Sequence, residues 1–158
     1  MEDVFYKDGL HFECRRCSNC CRYEPGFVFL SYHDLKRLEY ATSLSRAECV
    51  SRYCRGIYIH GTYRLSLIEK DNYDCIFWSE EGCLVYEHRP LQCRSYPFWP
   101  EYLENRRSWN SLQSSCPGVN RGRLHSFEEI EEWLRRREEE PIVLLTAEEL
   151  HRMQGEHV

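Results

Sequence analysis

Eight of the ten cysteines in this chain have a spacing that is typical of metal ligation. Two residues between successive cysteines allow one tight loop to aim several sulfurs at a single point, either a zinc ion with sulfur about 2.3 Å away or an iron–sulfur cluster. We therefore predict that these thiolates bind zinc or an iron–sulfur cluster, a choice that the spacing leaves open. The predicted ligands are Cys14, Cys17, Cys20, Cys21, Cys75, Cys83, Cys93 and Cys116.

The N-terminal run, Cys14-x-x-Cys17-x-x-Cys20-Cys21, resembles a ferredoxin-type run only in its first three positions. That run continues with three residues and a Cys-Pro pair. Here Cys21 follows directly, and the only Cys-Pro is the distant Cys116-Pro117. Because adjacent side chains seldom point the same way, we expect Cys20 and Cys21 to serve different sites, or one of them not to contact metal. The sequence allows either two separate metal sites or one binuclear centre.

The compartment decides whether clustered cysteines are metal ligands or disulfides. The N-terminal segment MEDVFYKDGLHF has neither a basic region nor a continuous apolar stretch, which argues against secretion. Nor does any apolar run approach the roughly 18 to 20 residues that a membrane helix needs. We therefore expect a cytoplasmic protein that is not bound to a membrane, whose thiols stay reduced and available for metal.

Charge weighs against nucleic acid as a partner. The 158 residues are 30% charged and carry a formal net charge of −5, whereas a protein that follows a phosphate backbone needs a basic excess or stripe. Arg15, Arg16 and Arg22 flank the cysteine run, but the acidic total favours the interpretation that they solvate a loop or offset thiolate charge. The expected partners are a metal ion or cluster and, as an open class, another protein.

The elements that must position these cysteines are short and mixed. Capping patterns predict helices, and alternating apolar residues on either side of His60-Gly61 predict a hairpin over residues 57–69. Helices are predicted after Ser31, after Ser45 to about Cys54, over Leu91 to Arg94 behind Pro90, after Ser126 as far as Pro141, and from Thr146. Two short strands, Cys75 to Trp78 and Cys83 to Tyr86, are predicted on either side of a tight turn.

The fold class that follows is α+β: a small single domain with a short antiparallel hairpin sheet, packed helices and irregular loops tied by metal. Residues 1–125 are expected to form the cysteine-bearing metal-binding body. Residues 126–158 are expected to form a helical extension packed on the same domain, serving as scaffold or partner surface.

Three blocks of the sequence together resemble a known family, the zinc- or iron-chelating cysteine-cluster proteins (YkgJ-like, CxxCxxCC). The blocks are F-x-C-R-R-C-S-N-C-C, then C-I-F-W-S-E-E-G-C-L-V-Y-E-H-R-P-L-Q-C-R-S-Y-P-F, then C-P-G, and they cover residues 12 to about 118. The resemblance implies metal binding by the eight cysteines named above, but no settled reaction or substrate. It also implies a set of surrounding motif residues, namely Arg89, Pro90, Arg94, Tyr96 and Pro97. A related cluster accompanies protein lysine methylation in flagellin-modifying enzymes, a link that is analogy alone because this chain has no S-adenosylmethionine fingerprint.

The remaining thiols and histidines favour structural roles. Cys49 and Cys54 lie five apart on a predicted helix and point about 140° away from one another, so we interpret them as small buried apolar residues. His88, between Cys83 and Cys93, could complete a Cys₃His site, but a hydrogen-bonding turn residue is the favoured interpretation.

Three function classes remain at this stage. They are an iron–sulfur protein that transfers electrons or supports a modifying enzyme, a zinc-stapled structural or protein-interaction module, and a thiol oxidoreductase using a C-x-x-C pair. The third is the weakest, because redox pairs of that kind normally begin a helix in a βαβ context. Catalysis by the isolated chain is not expected, since the sequence offers no convincing acid/base pair or nucleophile triad.

Overall fold

The computed structural model describes residues 3–155. Within that range the fold class is α+β, as the sequence predicts, with short antiparallel sheets and six α-helices. The helices are α1 Tyr32–Thr42, α2 Arg46–Tyr53, α3 Leu91–Ser95, α4 Arg106–Ser111, α5 Phe127–Glu139 and α6 Ala147–Met153. The strands are β1 Leu10–Phe12, β2 Cys54–Ile59, β3 Thr62–Leu67, β4 Trp78–Ser79, β5 Gly82–Cys83, β6 Val119–His125 and β7 Leu144–Leu145.

The described chain divides into two compact units. The first unit contains residues 3–20 and 95–139, and the second contains residues 21–94 and 140–155. Helix α5 belongs to the first unit and helix α6 to the second. The boundary at residue 126 between a metal-binding body and a helical extension stays a prediction.

The first unit is built on an irregular pair of strands. Strand β1 pairs antiparallel with β6, with Leu10 opposite His125 and Phe12 opposite Val119, and the register shifts between His11 and Phe12. A cluster of aromatic and aliphatic side chains forms its core, which stabilises the unit by removing apolar surface from water. The buried members are Tyr6, Leu10, Phe98, Leu103, Trp109, Leu112, Val119 and Ile130.

The second unit is built on the predicted hairpin. Strands β2 and β3 pair from Cys54 opposite Leu67 to Ile59 opposite Thr62, and β7 adds a third strand to the β3 edge. His60 and Gly61 form the turn with φ of 49° and 85°. Two successive positive φ values define the type I′ turn, which matches the twist of a hairpin and favours glycine at its second position. The hairpin prediction is confirmed.

Reciprocal capping boxes start the longer helices. Ser31 with Asp34, Ser45 with Glu48 and Thr146 with Glu149 each satisfy two backbone N–H groups at a helix start. Ser126 and Glu129 make the same pair of bonds at the start of α5. The helix starts predicted from these serine and threonine positions are confirmed.

Buried Asp34 also fixes the helix that carries Cys93. Its side chain accepts hydrogen bonds from the N–H of Ser31 at 2.9 Å, from the N–H of Leu91 at 2.9 Å and from Arg37 at 2.7 Å. The bond from Leu91 holds the first residue of α3. These donors offset the cost of burying the negative charge of Asp34, so its carboxylate can hold the first residue of α3 in place.

Two parts of the fold differ from the sequence expectation. The strands predicted over Cys75 to Trp78 and Cys83 to Tyr86 pair only at Trp78–Ser79 and Gly82–Cys83. Cys75 instead makes a single bridge with Glu69, and residues 86–88 form a 3₁₀ turn. Strands β1 and β6 and helix α4 have no counterpart among the predictions. Every helix within residues 3–155 is too short or too polar to cross a lipid bilayer.

Candidate metal centres

The eight predicted ligands divide equally between the two compact units. The first unit contains Cys14, Cys17, Cys20 and Cys116, which we call the N-terminal cysteine group. The second unit contains Cys21, Cys75, Cys83 and Cys93, which we call the hairpin cysteine group. The boundary falls between Cys20 and Cys21. None of the ten cysteines of the chain is in a disulfide.

The loop that carries Cys14, Cys17 and Cys20 turns through left-handed backbone conformations. Arg16 has φ of 52° and Ser18 has φ of 66°, values that residues with a Cβ adopt at a cost. The N–H of Arg16 points back at the sulfur of Cys14, with nitrogen and sulfur 3.4 Å apart. This contact fixes the position of the Cys14 side chain within the loop.

This loop is fastened to the segment that carries Cys116. The N–H of Glu13 donates to the carbonyl of Gly118 at 3.2 Å, and the side-chain amide of Asn19 donates to the carbonyl of Ser115 at 2.9 Å. A Cβ placed on Gly118 would lie 2.0 Å from the Glu13 carbonyl oxygen, so only glycine permits this approach. The two bonds place both ends of the cysteine run beside the Cys116-Pro117-Gly118 turn.

Tyr96 connects the sulfurs of this group. Its hydroxyl makes a side-chain hydrogen bond with Cys116 and also interacts electrostatically with Cys20, while Cys17 interacts with Cys116. Burial raises the pKa of Tyr96, and the nearby sulfurs raise it further, so this hydroxyl keeps its proton and serves as a donor. Tyr96 therefore links Cys116 with Cys20, and Cys17 interacts with Cys116.

Opposing influences act on Cys116. Burial raises the pKa of its half-buried thiol most, and Cys17 adds to the rise, whereas the backbone N–H groups of Gly118 and Val119 and the hydroxyl of Tyr96 lower it. These three donors would stabilise a thiolate at Cys116 once a cation offsets the cost of burying its charge.

Backbone pairing gathers the hairpin cysteine group. The N–H of Cys75 donates to the carbonyl of Cys21 at 2.8 Å, and the N–H of Trp78 donates to the carbonyl of Cys75 at 2.8 Å. Trp78 in turn lies directly opposite Cys83 across the β4–β5 pair. Cys93 lies in the middle of α3, whose first residue is held by Asp34.

Arg22 clamps the same segments through its side chain. Its Nε donates to Asp74 Oδ1 at 3.0 Å, and its guanidinium carbon lies 3.6 Å from the centre of the Trp78 ring. The hydrogen bond with Asp74 is the main reason that the pKa of Arg22 is raised, with a smaller electrostatic share from Cys21. One cation therefore holds residues next to Cys21 and Cys75 and the residue opposite Cys83.

The donor set fits zinc and iron alike. Four soft thiolates in each unit are what a closed tetrahedral zinc site or an iron–sulfur cluster requires. Among residues 3–155, no three His, Cys, Asp or Glu side chains already stand close enough to hold an ion.

The other two cysteines are part of the hydrophobic core, as predicted. Cys49 is 0% exposed and Cys54 is 7% exposed, both within the apolar cluster of the second unit. Burial, with a smaller contribution from Cys49, raises the pKa of Cys54 to about 12. A thiol with that pKa stays protonated at neutral pH and is a poor metal ligand. His88, the alternative ligand, packs edge-on against Tyr40.

Sequence reasoning missed the residues that hold the cysteines in place. The sequence predicts for Arg22 only that it solvates a loop or offsets thiolate charge, whereas its side chain binds Asp74 and Trp78. The resemblance did point to Tyr96, as a motif residue with no role attached. No spacing rule points to Asp74, although it directly precedes a predicted ligand.

Comparison with known proteins agrees with this donor set. The sequence profile of the CxxCxxCC family, described as a "putative zinc- or iron-chelating domain", matches residues 13–117. An uncharacterized protein of Methanocaldococcus jannaschii, MJ0939, is 27% identical over 124 residues, which cover 73% of this chain and 40% of that protein. This chain thus spans less than half the length of that relative. No solved structure matches the chain. Since the family profile extends over most of the sequence and contains all eight predicted ligands, the chain belongs to the CxxCxxCC family of zinc- or iron-chelating domains.

Proposed function

We propose that this protein holds an iron–sulfur cluster through the N-terminal cysteine group and serves, in the cytoplasm, as an accessory to electron transfer or protein modification. The observation that carries the proposal is that the loop with Cys14, Cys17 and Cys20 is hydrogen-bonded to the turn with Cys116, through Glu13 to Gly118 and through Asn19 to Ser115. A ferredoxin-type cluster takes three cysteines from a C-x-x-C-x-x-C run and a fourth, followed by proline, from a distant segment. Cys14, Cys17, Cys20 and Cys116-Pro117 match that ligand set.

The chain's own residues have definite roles in this proposal. Tyr96 donates a hydrogen bond toward the Cys116 sulfur, and the N–H of Arg16 donates toward the Cys14 sulfur. Hydrogen bonds to ligating sulfurs are among the features by which a protein tunes a cluster's reduction potential. Cys14, Cys17 and Cys20 are exposed, which would place a bound cluster where a protein partner can approach it. The cluster itself would supply one-electron chemistry.

The second candidate function is a zinc-stapled structural or protein-interaction module. The clamp formed by Arg22, Asp74 and Trp78 favours it, because this cation links the segments that carry Cys21, Cys75 and Cys83. Structural zinc sites are closed by four protein ligands and stabilise loops that have few other contacts. Under this alternative the protein carries zinc and has no redox role.

Anaerobic purification with metal analysis separates the two functions. We expect brown protein with broad visible absorption that contains iron and acid-labile sulfide. Colourless protein that releases stoichiometric zinc would replace the first function by the second. Protein that retains neither metal, and that regains neither when the reduced chain is reconstituted, would contradict both.

A further inference from the structure

We propose that the chain contains two independent four-thiolate sites, one in each compact unit. The first site consists of Cys14, Cys17, Cys20 and Cys116, and the second of Cys21, Cys75, Cys83 and Cys93. The inference rests on the proposed metal-binding function and extends it by assigning each thiolate to a site. It excludes a single binuclear centre built from both groups.

The division of the chain is the first argument. Cys20 and Cys21 are neighbours in sequence but belong to different units, and each unit then holds four of the eight ligands. Four thiolates complete the coordination of one zinc ion or one cluster. Each unit can therefore saturate a metal centre without a ligand from the other.

Contacts within the first unit support the first site. The N–H of Glu13, next to Cys14, donates to the carbonyl of Gly118 at 3.2 Å. The side-chain amide of Asn19, next to Cys20, donates to the carbonyl of Ser115, next to Cys116, at 2.9 Å. The loop with Cys14, Cys17 and Cys20 is therefore bonded near both of its ends to the turn with Cys116.

Contacts within the second unit support the second site. The backbone of Cys21 pairs with that of Cys75 at 2.8 Å, and both Cys75 and Cys83 pack against the same core cluster. Arg22 reaches from beside Cys21 to Asp74 and Trp78, which are next to Cys75 and opposite Cys83. Cys93 supplies the fourth thiolate from α3, whose first residue is held by the hydrogen bond from Leu91 to Asp34.

The other thiols of the second unit do not compete for this role. Cys49 and Cys54 lie inside its core, and the sulfur of Cys49 is 3.3 Å from the hydroxyl of Thr42. Both side chains are packed among apolar residues of the core, so neither sulfur is accessible to a metal shared with the half-buried cysteines. These two residues provide matched control substitutions.

Zinc stoichiometry in single and double variants tests the assignment. The full-length chain is reduced, stripped of metal under anaerobic conditions and titrated with zinc as the only ion, because thiolates that suit iron also bind zinc. We expect two tightly bound zinc ions per wild-type chain, and one in Cys116→Ala or in Cys93→Ala. The same-site pair Cys14→Ala/Cys116→Ala should still bind one ion. The cross-site pair Cys116→Ala/Cys93→Ala should bind none, and Cys49→Ala should bind two.

The outcomes distinguish this assignment from metal binding in general. Wild-type protein that binds zinc while any single variant loses all of it would overturn the two-site assignment and leave the metal-binding function standing. A same-site double variant that binds none, or a cross-site double variant that keeps one ion, would overturn it as well. Wild-type protein that saturates with a single zinc ion would overturn the two-site assignment alone. Wild-type protein that binds neither zinc nor a reconstituted iron–sulfur cluster would overturn the proposed function itself.

A measurement on the wild-type chain avoids dependence on the folding of the variants. The chain is loaded with one equivalent of zinc, alkylated, and analysed by mass spectrometry of intact and fragmented molecules. We expect protection in blocks, with all four cysteines of one group unmodified together. Protected sets that mix cysteines from both groups in single molecules would contradict the assignment.

Discussion

At the scale of single residues, Tyr96 is the side chain whose removal tests the N-terminal cysteine group most specifically. Its hydroxyl bonds to Cys116, and its pKa is raised, so it donates rather than accepts. We expect Tyr96→Phe to weaken metal retention at this group about 10- to 100-fold, the usual effect of losing a hydrogen bond to a metal ligand. Competition with a chelator of known affinity measures the change.

The control for Tyr96→Phe is Tyr58→Phe, which removes the hydroxyl of a tyrosine that is 65% exposed in the second unit. This control should leave metal affinity unchanged. Equal affinity for Tyr96→Phe and wild type would show that the hydroxyl has no part in holding the thiolates.

The thiol of Cys54 is buried among apolar side chains, and we therefore expect it to make the stability of the protein depend on pH. Its pKa rises from 9.0 to about 12 on folding. Above pH 9 ionisation of this thiol lowers the free energy of the unfolded state, whereas the thiol of the folded state stays protonated. The free energy of unfolding therefore falls as pH rises from about 9 to 12. Cys54→Ala should lower stability at pH 8 by about 1 kcal/mol through the lost packing, yet flatten its decline above pH 9.

Urea denaturation at a series of pH values measures this effect. Tyr6, whose pKa is also raised to about 12, contributes a parallel decline above its ordinary value of 10.0 that persists in the variant. A pH dependence in Cys54→Ala identical to that of wild type would refute the buried-thiol interpretation.

At the scale of elements, the close approach of two loops depends on one glycine. Replacing Gly118 by alanine would put a Cβ 2.0 Å from the carbonyl oxygen of Glu13, so the backbone has to move. We expect Gly118→Ala to cost about 3 kcal/mol and to impair metal retention by the N-terminal group. Thermal melting measures the loss of stability, and metal analysis measures the loss of bound metal.

Gly26→Ala is the matched control for Gly118→Ala. Nothing lies within 4 Å of the Cβ it would add. This variant should melt within a few degrees of wild type and keep its full metal content. A Gly118→Ala protein that behaves like Gly26→Ala would mean that the two loops do not pack as described.

The elements that could be predicted from sequence are those with local causes. Ser31 with Asp34 is a capping box because both partners lie within one helical turn, and His60-Gly61 is a turn because glycine tolerates the φ it needs. The β1–β6 pair has no such signal. Strand β1 has three residues, and β6 is almost wholly exposed and contains Gly122, so neither shows apolar alternation. Their pairing depends on tertiary packing.

At the scale of the whole molecule, the identity of the candidate ligands could be predicted but their grouping could not. Thiolate chemistry and spacing point to eight cysteines, and the five-residue separation of Cys49 and Cys54 sets these two apart as buried residues. The predicted helix ends earlier than expected, because Cys54 begins β2. Which cysteines share a unit depends on how the chain returns to the N-terminal segment from residue 95 onward. That return is a property of the fold, so no rule of spacing contains it.

The contribution of metal to stability is also a property of the whole chain. If thiolate sites hold loops that have little regular structure, the free energy of metal binding becomes free energy of folding. Removal of metal that costs about 5 kcal/mol would lower the melting temperature by roughly 10 to 20 °C in a chain of this size. A melting curve that stays in place after proven loss of metal would show that the loops fold without it.

X-ray absorption at the metal edge of the anaerobically purified protein tests most directly whether cysteine sulfur holds the metal. We expect a first shell of about four sulfur atoms near 2.3 Å, with further iron neighbours if the metal is a cluster. A first shell dominated by nitrogen or oxygen would contradict the assignment of these cysteines as ligands.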